Sequence, residues 1–193
     1  AQRADLETAI QTTRELIADL ANLITEQFRS TFAALEGAFA RTFEQLFGGG
    51  EAQLSLTAPD DLSSTGVEIT ARPPGKKRQP LAMLSGGERA LTAVALLLAM
   101  LEVRPVPFCV LDEVDAALDE ANIVRFAAAL RGLADRIQFI VITHNRGTIE
   151  AADALYGVTL GDDAVSRMVS LRLPPATGNG HAVPDLAAEA LIP

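Results

Sequence analysis

The chain has 193 residues, 49% hydrophobic but only 5% aromatic, and a formal net charge of −9, which suits one domain with a core of small aliphatics. So acidic a chain is a poor sole binder of nucleic acid, whose phosphates need clustered Lys and Arg. A single cysteine, Cys109 in an apolar run, excludes an internal disulfide framework and fits a reducing cytosol; no signal peptide is recognisable, and the apolar stretch 91–101 is shorter than the ~20 residues that cross a bilayer.

The first segment reads as a long helix. Leu6, Ile10, Thr13, Ile17, Leu20 and Ile24 recur at alternating steps of four and three, the seam of a coiled coil. Phe28, Phe32, Leu35, Phe39, Phe43 and Phe47 continue the helical spacing with bulkier side chains, so the seam passes into globular packing before Gly48, Gly49 and Gly50 end the helix. Alternation around Leu54 and Leu56 and around Val67 and Ile69 predicts strands over 52–57 and 66–72, joined as a hairpin through a turn-rich stretch. A Pro/Gly loop then carries the one basic cluster, Arg72, Lys76, Lys77 and Arg78, read as solvated surface. Beyond Leu84 the pattern becomes helix 86–102, strand 107–111, helix 120–132 and strand 137–143, with further strands near 155–160 and 167–173. Apolar strands alternating with helices predict an α/β fold with a mostly parallel sheet covered by helices on both faces. The segment from Pro174 has no convincing period and is expected to be a disordered tail.

Three motifs carry chemistry. Leu84-Ser85-Gly86-Gly87-Glu88 is a capping box, in which Ser85 caps a helix and Glu88 reaches back. A box alone does not explain two glycines in the first turn, each ~1 kcal/mol worse than Ala inside a helix. Glycine there lets a ligand approach the backbone N–H groups at the positive helix end, as phosphates do. The second motif, Phe108-Cys109-Val110-Leu111-Asp112-Glu113, is an apolar strand tipped by two acids. It delivers Asp112 to the carboxyl end of a sheet, where it can hold Mg²⁺; Glu113 can polarise a water. Alone, it is also compatible with two solvated acids in a turn. The third is a strand ending in Thr143-His144, and between the second and third lies the acidic turn Ala117-Leu118-Asp119.

This order of motifs resembles the ATP-binding-cassette ATPases: signature, Walker B strand, D-loop and switch histidine. Within them, Leu84-Ser85-Gly86-Gly87-Glu88-Arg89-Ala90-Leu91-Thr92-Ala93 and Val110-Leu111-Asp112-Glu113-Val114-Asp115-Ala116-Ala117-Leu118-Asp119-Glu120-Ala121-Asn122 are most similar to the bacterial SMC (structural maintenance of chromosomes) proteins, over roughly residues 28–173. The resemblance implies a C-terminal head lobe at 31–173, with residues 1–30 as the end of a coiled coil and 174–193 as the tail. It implies that Asp112 coordinates Mg²⁺, that Glu113 is the general base, and that His144 contacts the γ-phosphate of ATP. It further implies that Ser85, Gly86, Gly87 and Glu88 meet a nucleotide held on a second head, with Asp119 at the same head–head interface.

A P-loop needs Gly-x-x-x-x-Gly-Lys and then Ser or Thr. Gly75-Lys76 is followed by Lys77, and Thr70 stands where the first glycine should be, so no P-loop is present in these residues. The resemblance therefore implies an ATPase that works only with an N-terminal P-loop lobe and a second head, in a homodimer that engages with ATP, and a chain inactive alone. The partners it implies are the winged-helix domain of a kleisin subunit, docked partly on the strand near 167–173, and DNA through the full complex. No membrane is implied, and the expected location is cytoplasmic and nucleoid-associated. The alternatives are the head of a related DNA-repair ATPase and a kleisin-binding module without activity. A transporter cassette fits the coiled-coil opening less well.

Overall fold

The computed structural model describes residues 2–62, 64–160 and 165–173. The expected tail at 174–193 lies outside them. Helix α1 runs Gln2–Phe47 as one element. Its buried face begins in the phenylalanine run, where Ala38, Phe39, Phe43 and Leu46 are fully buried. Before that run the seam residues Ile10, Ile17, Leu20 and Ile24 are exposed, together with Leu16 and Leu23, so an apolar stripe stands open to solvent.

The helix ends as its glycines require. Gly48, Gly49 and Gly50 all have positive φ, and the Gly49 N–H donates to the Glu44 carbonyl at 2.8 Å, closing the last turn. Gly50 is the tightest of the three. A Cβ there would lie 2.5 Å from the Arg72 carbonyl oxygen, at a φ of +86°. Only glycine lets the chain turn from the helix into the next strand at this distance.

Strand β1 (Glu51–Leu56) pairs antiparallel with β2 (Val67–Arg72), from Glu51↔Arg72 to Leu56↔Val67, as the hairpin pattern predicts. A two-residue strand, β3 (Gln79–Pro80), adds to the other edge of β2. Ala52, Leu54 and Ala71 are buried on one side of this sheet and join the core that α1 shares with α2 (Gly86–Val103). Leu91, Ala95, Leu98 and Ala99 supply the buried stripe of α2. The basic loop is less free than its composition suggests. Arg72 and Arg78 both pair with Glu51, and Lys76 pairs with Glu88.

Strand β4 (Phe108–Asp112), helix α3 (Glu120–Leu133) and strand β5 (Gln138–Ile142) form a parallel β–α–β unit, in register from Phe108↔Gln138 to Asp112↔Ile142. A short helix α4 (Arg146–Ile149) leads to the antiparallel hairpin of β6 (Ala154–Leu160) and β7 (Ser166–Arg172). The expectation of a mostly parallel sheet buried on both faces is therefore corrected. Among the described residues β4–β5 is the one parallel pair, and the other two sheets are antiparallel. Cys109, Leu111, Phe139 and Val141 turn toward the core, whereas Phe108, Val110, Ile140 and Ile142 on the opposite face are exposed. An unbroken apolar run carries no information on which layer covers each face, so periodicity alone could not foresee an open one.

What fixes the ends of β4 and β5 is a buried acid. Asp115 is only 1% exposed. The Thr143 hydroxyl lies 2.8 and 3.0 Å from its two oxygens, and the Thr148 hydroxyl donates to it as well. Thr143 Oγ1 in turn accepts from the Asn145 N–H at 2.9 Å. One carboxylate thus ties the turn after β4 to the turn after β5 and to α4.

Two stability measurements test this account. Gly50→Ala should cost about 1–3 kcal/mol for the left-handed backbone alone, plus the clash with Arg72. Gly75→Ala is the control, because Gly75 has a φ of +75° but nothing within 4 Å of a Cβ, so it should show the backbone cost without the clash. Asp115→Ala should lower the denaturant midpoint at unchanged slope by an amount equivalent to about 2–4 kcal/mol, since one buried and one half-buried hydroxyl lose their acceptor. Asp115→Asn, which keeps one acceptor oxygen, should lose less.

Candidate functional site

Two groups of polar residues emerge on the surface, joined by the turn-rich run 113–119. The first lies at the carboxyl ends of β4 and β5. Asp112 is the last residue of β4 and is exposed. Glu113 follows with a φ of 50°, the one non-glycine residue with positive φ among the described residues. Its N–H donates to the Ile142 carbonyl at 2.9 Å, which carries the β4–β5 ladder one step past Asp112 and holds Glu113 in this costly backbone region. The side chain then meets His144, whose Nδ1 lies 2.8 Å from Glu113 Oε2, with side-chain exposures of 77% for His144 and 45% for Glu113. Sequence reasoning gave these two residues separate roles, and the fold brings them into contact. In the neutral imidazole that contact puts the proton on Nδ1 and leaves Nε2 as an outward-facing acceptor; in the imidazolium Nε2 becomes an outward-facing donor.

The second group surrounds the N-terminus of α2. Ser85 is the N-cap. Its Oγ accepts from the Glu88 N–H at 3.4 Å and lies 2.6 Å from Glu88 Oε2, while the Ser85 N–H donates to the same carboxylate at 3.1 Å. The capping box is therefore formed in full. Glu88 Oε1 lies 2.9 Å from Lys76 Nζ, and the Glu88 carboxyl is held below its usual range, first by the Ser85 hydroxyl and then by Lys76. Gly86 and Gly87 are exposed and have no positive φ. A Cβ on Gly86 would meet nothing within 4 Å, and one on Gly87 would make only an ordinary contact, 3.5 Å from the Ala117 carbonyl oxygen. That approach places the start of α2 beside the turn carrying Asp119. Asp119 itself is the N-cap of α3, accepting from the Asn122 N–H at 2.8 Å.

Three residues of these groups were not picked out from sequence. Asp115 supports the strand ends and Asn145 caps α4. Lys76 was read as surface, because nothing in a Pro/Gly loop shows that its ammonium reaches a helix cap. The two concavities described on the surface lie elsewhere: one of about 240 Å³ beside Thr42, Glu102 and Arg136, and an apolar one of about 340 Å³ between Phe28, Phe32, Ile69 and Met100. The site residues occupy open surface instead.

The donor sets decide which groups these residues can hold. No cluster of three or more His, Cys, Asp or Glu is placed to cage a metal among the described residues. An exposed strand-end carboxylate such as Asp112 still fits Mg²⁺, which commonly takes one or two carboxylates and completes its shell with phosphate oxygens and water. For ATP the residues fit only in part, since a helix N-terminus and strand-end acids are present but no P-loop is.

Residues 11–167 match the model of the family described as "RecF/RecN/SMC N terminal domain". Among curated proteins, the "Chromosome partition protein Smc" of Bacillus subtilis (strain 168) is 55% identical over 172 residues, which are 89% of this chain but 14% of that protein. Among solved structures, an Smc head domain with an extended coiled coil, bound to the C-terminal domain of ScpA and derived from Pyrococcus furiosus, superposes with a TM-score of 0.78 at 38% identity, covering 89% of this chain and 43% of that one. A chain from a study described as "Structural biochemistry of ATP-driven dimerization and DNA stimulated activation of SMC ATPases" gives 0.70 at 40% identity, over 76% of this chain and 89% of that one. The chain thus spans about one seventh of the curated relative's length. The expectation of a C-terminal head lobe is corrected by the family match, which is described as an N terminal domain; motif order and a missing P-loop set these residues relative to an absent loop without naming the segment. The chain belongs to the RecF/RecN/SMC N terminal domain family and is part of an SMC head region.

Proposed function

We propose that this chain supplies two separate contributions to composite ATP sites in a protein that partitions chromosomes. With Mg²⁺ and ATP bound, the cation would screen the phosphate charge and orient the γ-phosphate. Asp112 is the carboxylate that would hold the cation, directly or through water. Glu113 orients the attacking water and accepts its proton, and His144, held by Glu113 through Nδ1, turns Nε2 toward the γ-phosphate. These three serve a nucleotide whose phosphates are gripped by a P-loop outside the 193 residues. Ser85, Gly86, Gly87 and Glu88 meet a nucleotide carried by a second head, and Asp119 sits at that interface.

The observation that carries this reading is the pair of glycines at the start of α2. Neither their backbone angles nor their packing demands glycine, so the space in front of the helix is kept clear for something that does not belong to this chain. Two apolar surfaces add support for a larger assembly. The open face of β4–β5 suits a further layer of the head, and the exposed apolar stripe of α1 from Ile10 to Ile24 suits a coiled-coil partner. We assign the exposed β6–β7 hairpin, with Tyr156, Val158, Met168 and Val169, to the winged-helix domain of a kleisin. DNA is engaged through the whole complex, which places the protein on the nucleoid; no helix among the described residues is long and apolar enough to cross a membrane.

The isolated chain should show no ATP turnover, because a P-loop supplies most of the phosphate grip; robust hydrolysis without an added segment would refute the composite reading. In the full-length protein, Glu113→Gln keeps size and hydrogen bonding but loses basicity. ATP hydrolysis should fall by about 10²–10⁴-fold while ATP-bound heads accumulate as dimers on a sizing column. Ser85→Arg should leave ATP binding to each head intact and abolish dimerisation. Dimers of the Ser85→Arg protein, or monomers of the Glu113→Gln protein, would show that these residues do not lie on opposite sides of a shared site.

A further inference from the structure

The capping box creates a charge conflict at the end of α2. A helix N-terminus attracts anions through its free N–H groups and its dipole. The box, however, already places a carboxylate in the first turn, with Glu88 Oε2 accepting from the Ser85 backbone. A phosphate brought to the same helix end meets that negative charge within a few ångströms, and once an interface closes over the site water no longer screens the repulsion. The Ser85 hydroxyl is engaged too, because its Oγ lies 2.6 Å from Glu88 Oε2. Its proton must leave the carboxylate before it can be offered to a ligand.

Lys76 sits where it can relieve both difficulties. Its Nζ is 2.9 Å from the other oxygen, Glu88 Oε1, and the side chains are 52% exposed for Lys76 and 19% for Glu88. The cation therefore covers a largely shielded carboxylate from the solvent side. The loop that presents it is built for the purpose. Lys76 N–H donates to the Pro73 carbonyl at 3.1 Å across Pro74 and Gly75, with Gly75 at a φ of +75°. Proline followed by a positive-φ glycine is the sequence of a type II turn, which fixes the direction of the residue that follows. An exposed ion pair contributes little to stability, so a dedicated turn and a shielded acceptor point to another purpose.

We propose that Lys76 is a positioning residue of the composite site. It neutralises Glu88, so that the N-terminus of α2 can receive a nucleotide phosphate and the Ser85 hydroxyl can turn from Glu88 toward it. The inference rests on the composite-site reading above.

The test uses the full-length protein and reads ATP binding per head, ATP-dependent dimerisation and ATPase rate. Lys76→Met removes the charge at similar length. Binding to each head should persist, while dimerisation and turnover fall by about 10-fold. Lys76→Arg, which keeps the charge, should retain most of both. Glutamine can still close a capping box, so the double variant Lys76→Met/Glu88→Gln should recover most of what the single one loses, because no uncompensated carboxylate remains. A purely structural role for Lys76 would instead show a lowered Tm that Glu88→Gln does not restore. Ser85→Arg separates the two levels of the argument. If it still dimerises, the composite site is wrong. If it fails to dimerise while Lys76→Met engages like the wild type, or the double variant is as impaired as the single one, the role of Lys76 alone is overturned.

Discussion

Asp115 is the residue on which the rest of the site depends. A buried carboxylate is expensive unless its oxygens are occupied, and here Thr143 and Thr148 occupy them. Because those hydroxyls come from the turn after β5 and from α4, satisfying one acid fixes the relative positions of three segments. His144 follows Thr143 directly, and Glu113 precedes Asp115 by two residues. The contact between Glu113 and His144 is therefore set from beneath, by a network that faces away from the solvent and that no ligand needs to touch. The left-handed backbone of Glu113 is held beside this network by two backbone bonds of its own. Its N–H is held by the Ile142 carbonyl and its own carbonyl accepts from the Ala116 N–H at 3.2 Å, so the strand must turn at the residue that carries the candidate base.

The run 113–119 links this group to the start of α2. Leu118 N–H donates to the Asp115 carbonyl at 3.0 Å, Ala117 offers its carbonyl 3.5 Å from where a Gly87 Cβ would sit, and Asp119 caps α3. The two polar groups are thus positioned by one short segment with a buried anchor in its middle. A Cβ added at Gly87 would only touch this turn at ordinary contact distance, so the turn leaves the second glycine as unexplained by packing as the first.

The sequence made the elements readable and left their surroundings dark. The heptad-like seam, the phenylalanine run and the triple glycine fix α1, and alternation fixes the β1–β2 hairpin, because both signals are local. The open face of β4–β5 was not readable, since an apolar strand looks the same whichever layer covers it. Nor could the role of Asp115 be read among the acids at 112, 113, 115, 119 and 120. Which of them is buried depends on hydroxyls that arrive from β5 and α4 only when the chain folds. The capping box was legible at Ser85 and Glu88, three residues apart on one helix turn; the lysine paired with it was not, because its partner lies across a loop and the short strand β3.

The charges of the two groups are complementary, and this bears on how two copies would meet. One group offers acids, Asp112 and Glu113, which suit a cation. The other offers a positive helix end whose own carboxylate is covered by Lys76, which suits an anion. A magnesium nucleotide has both characters, with the cation on one side of the phosphates and free phosphoryl oxygens on the other. Neither group alone offers partners for both faces of such a ligand. In a two-fold dimer, whatever residue of one copy meets a residue of the other is met in return. Acids from one copy can then face the helix end of its partner twice over, with one nucleotide between each pair. On the composite-site proposal, two half-sites of opposite charge on one chain are what a symmetric pair of shared sites requires.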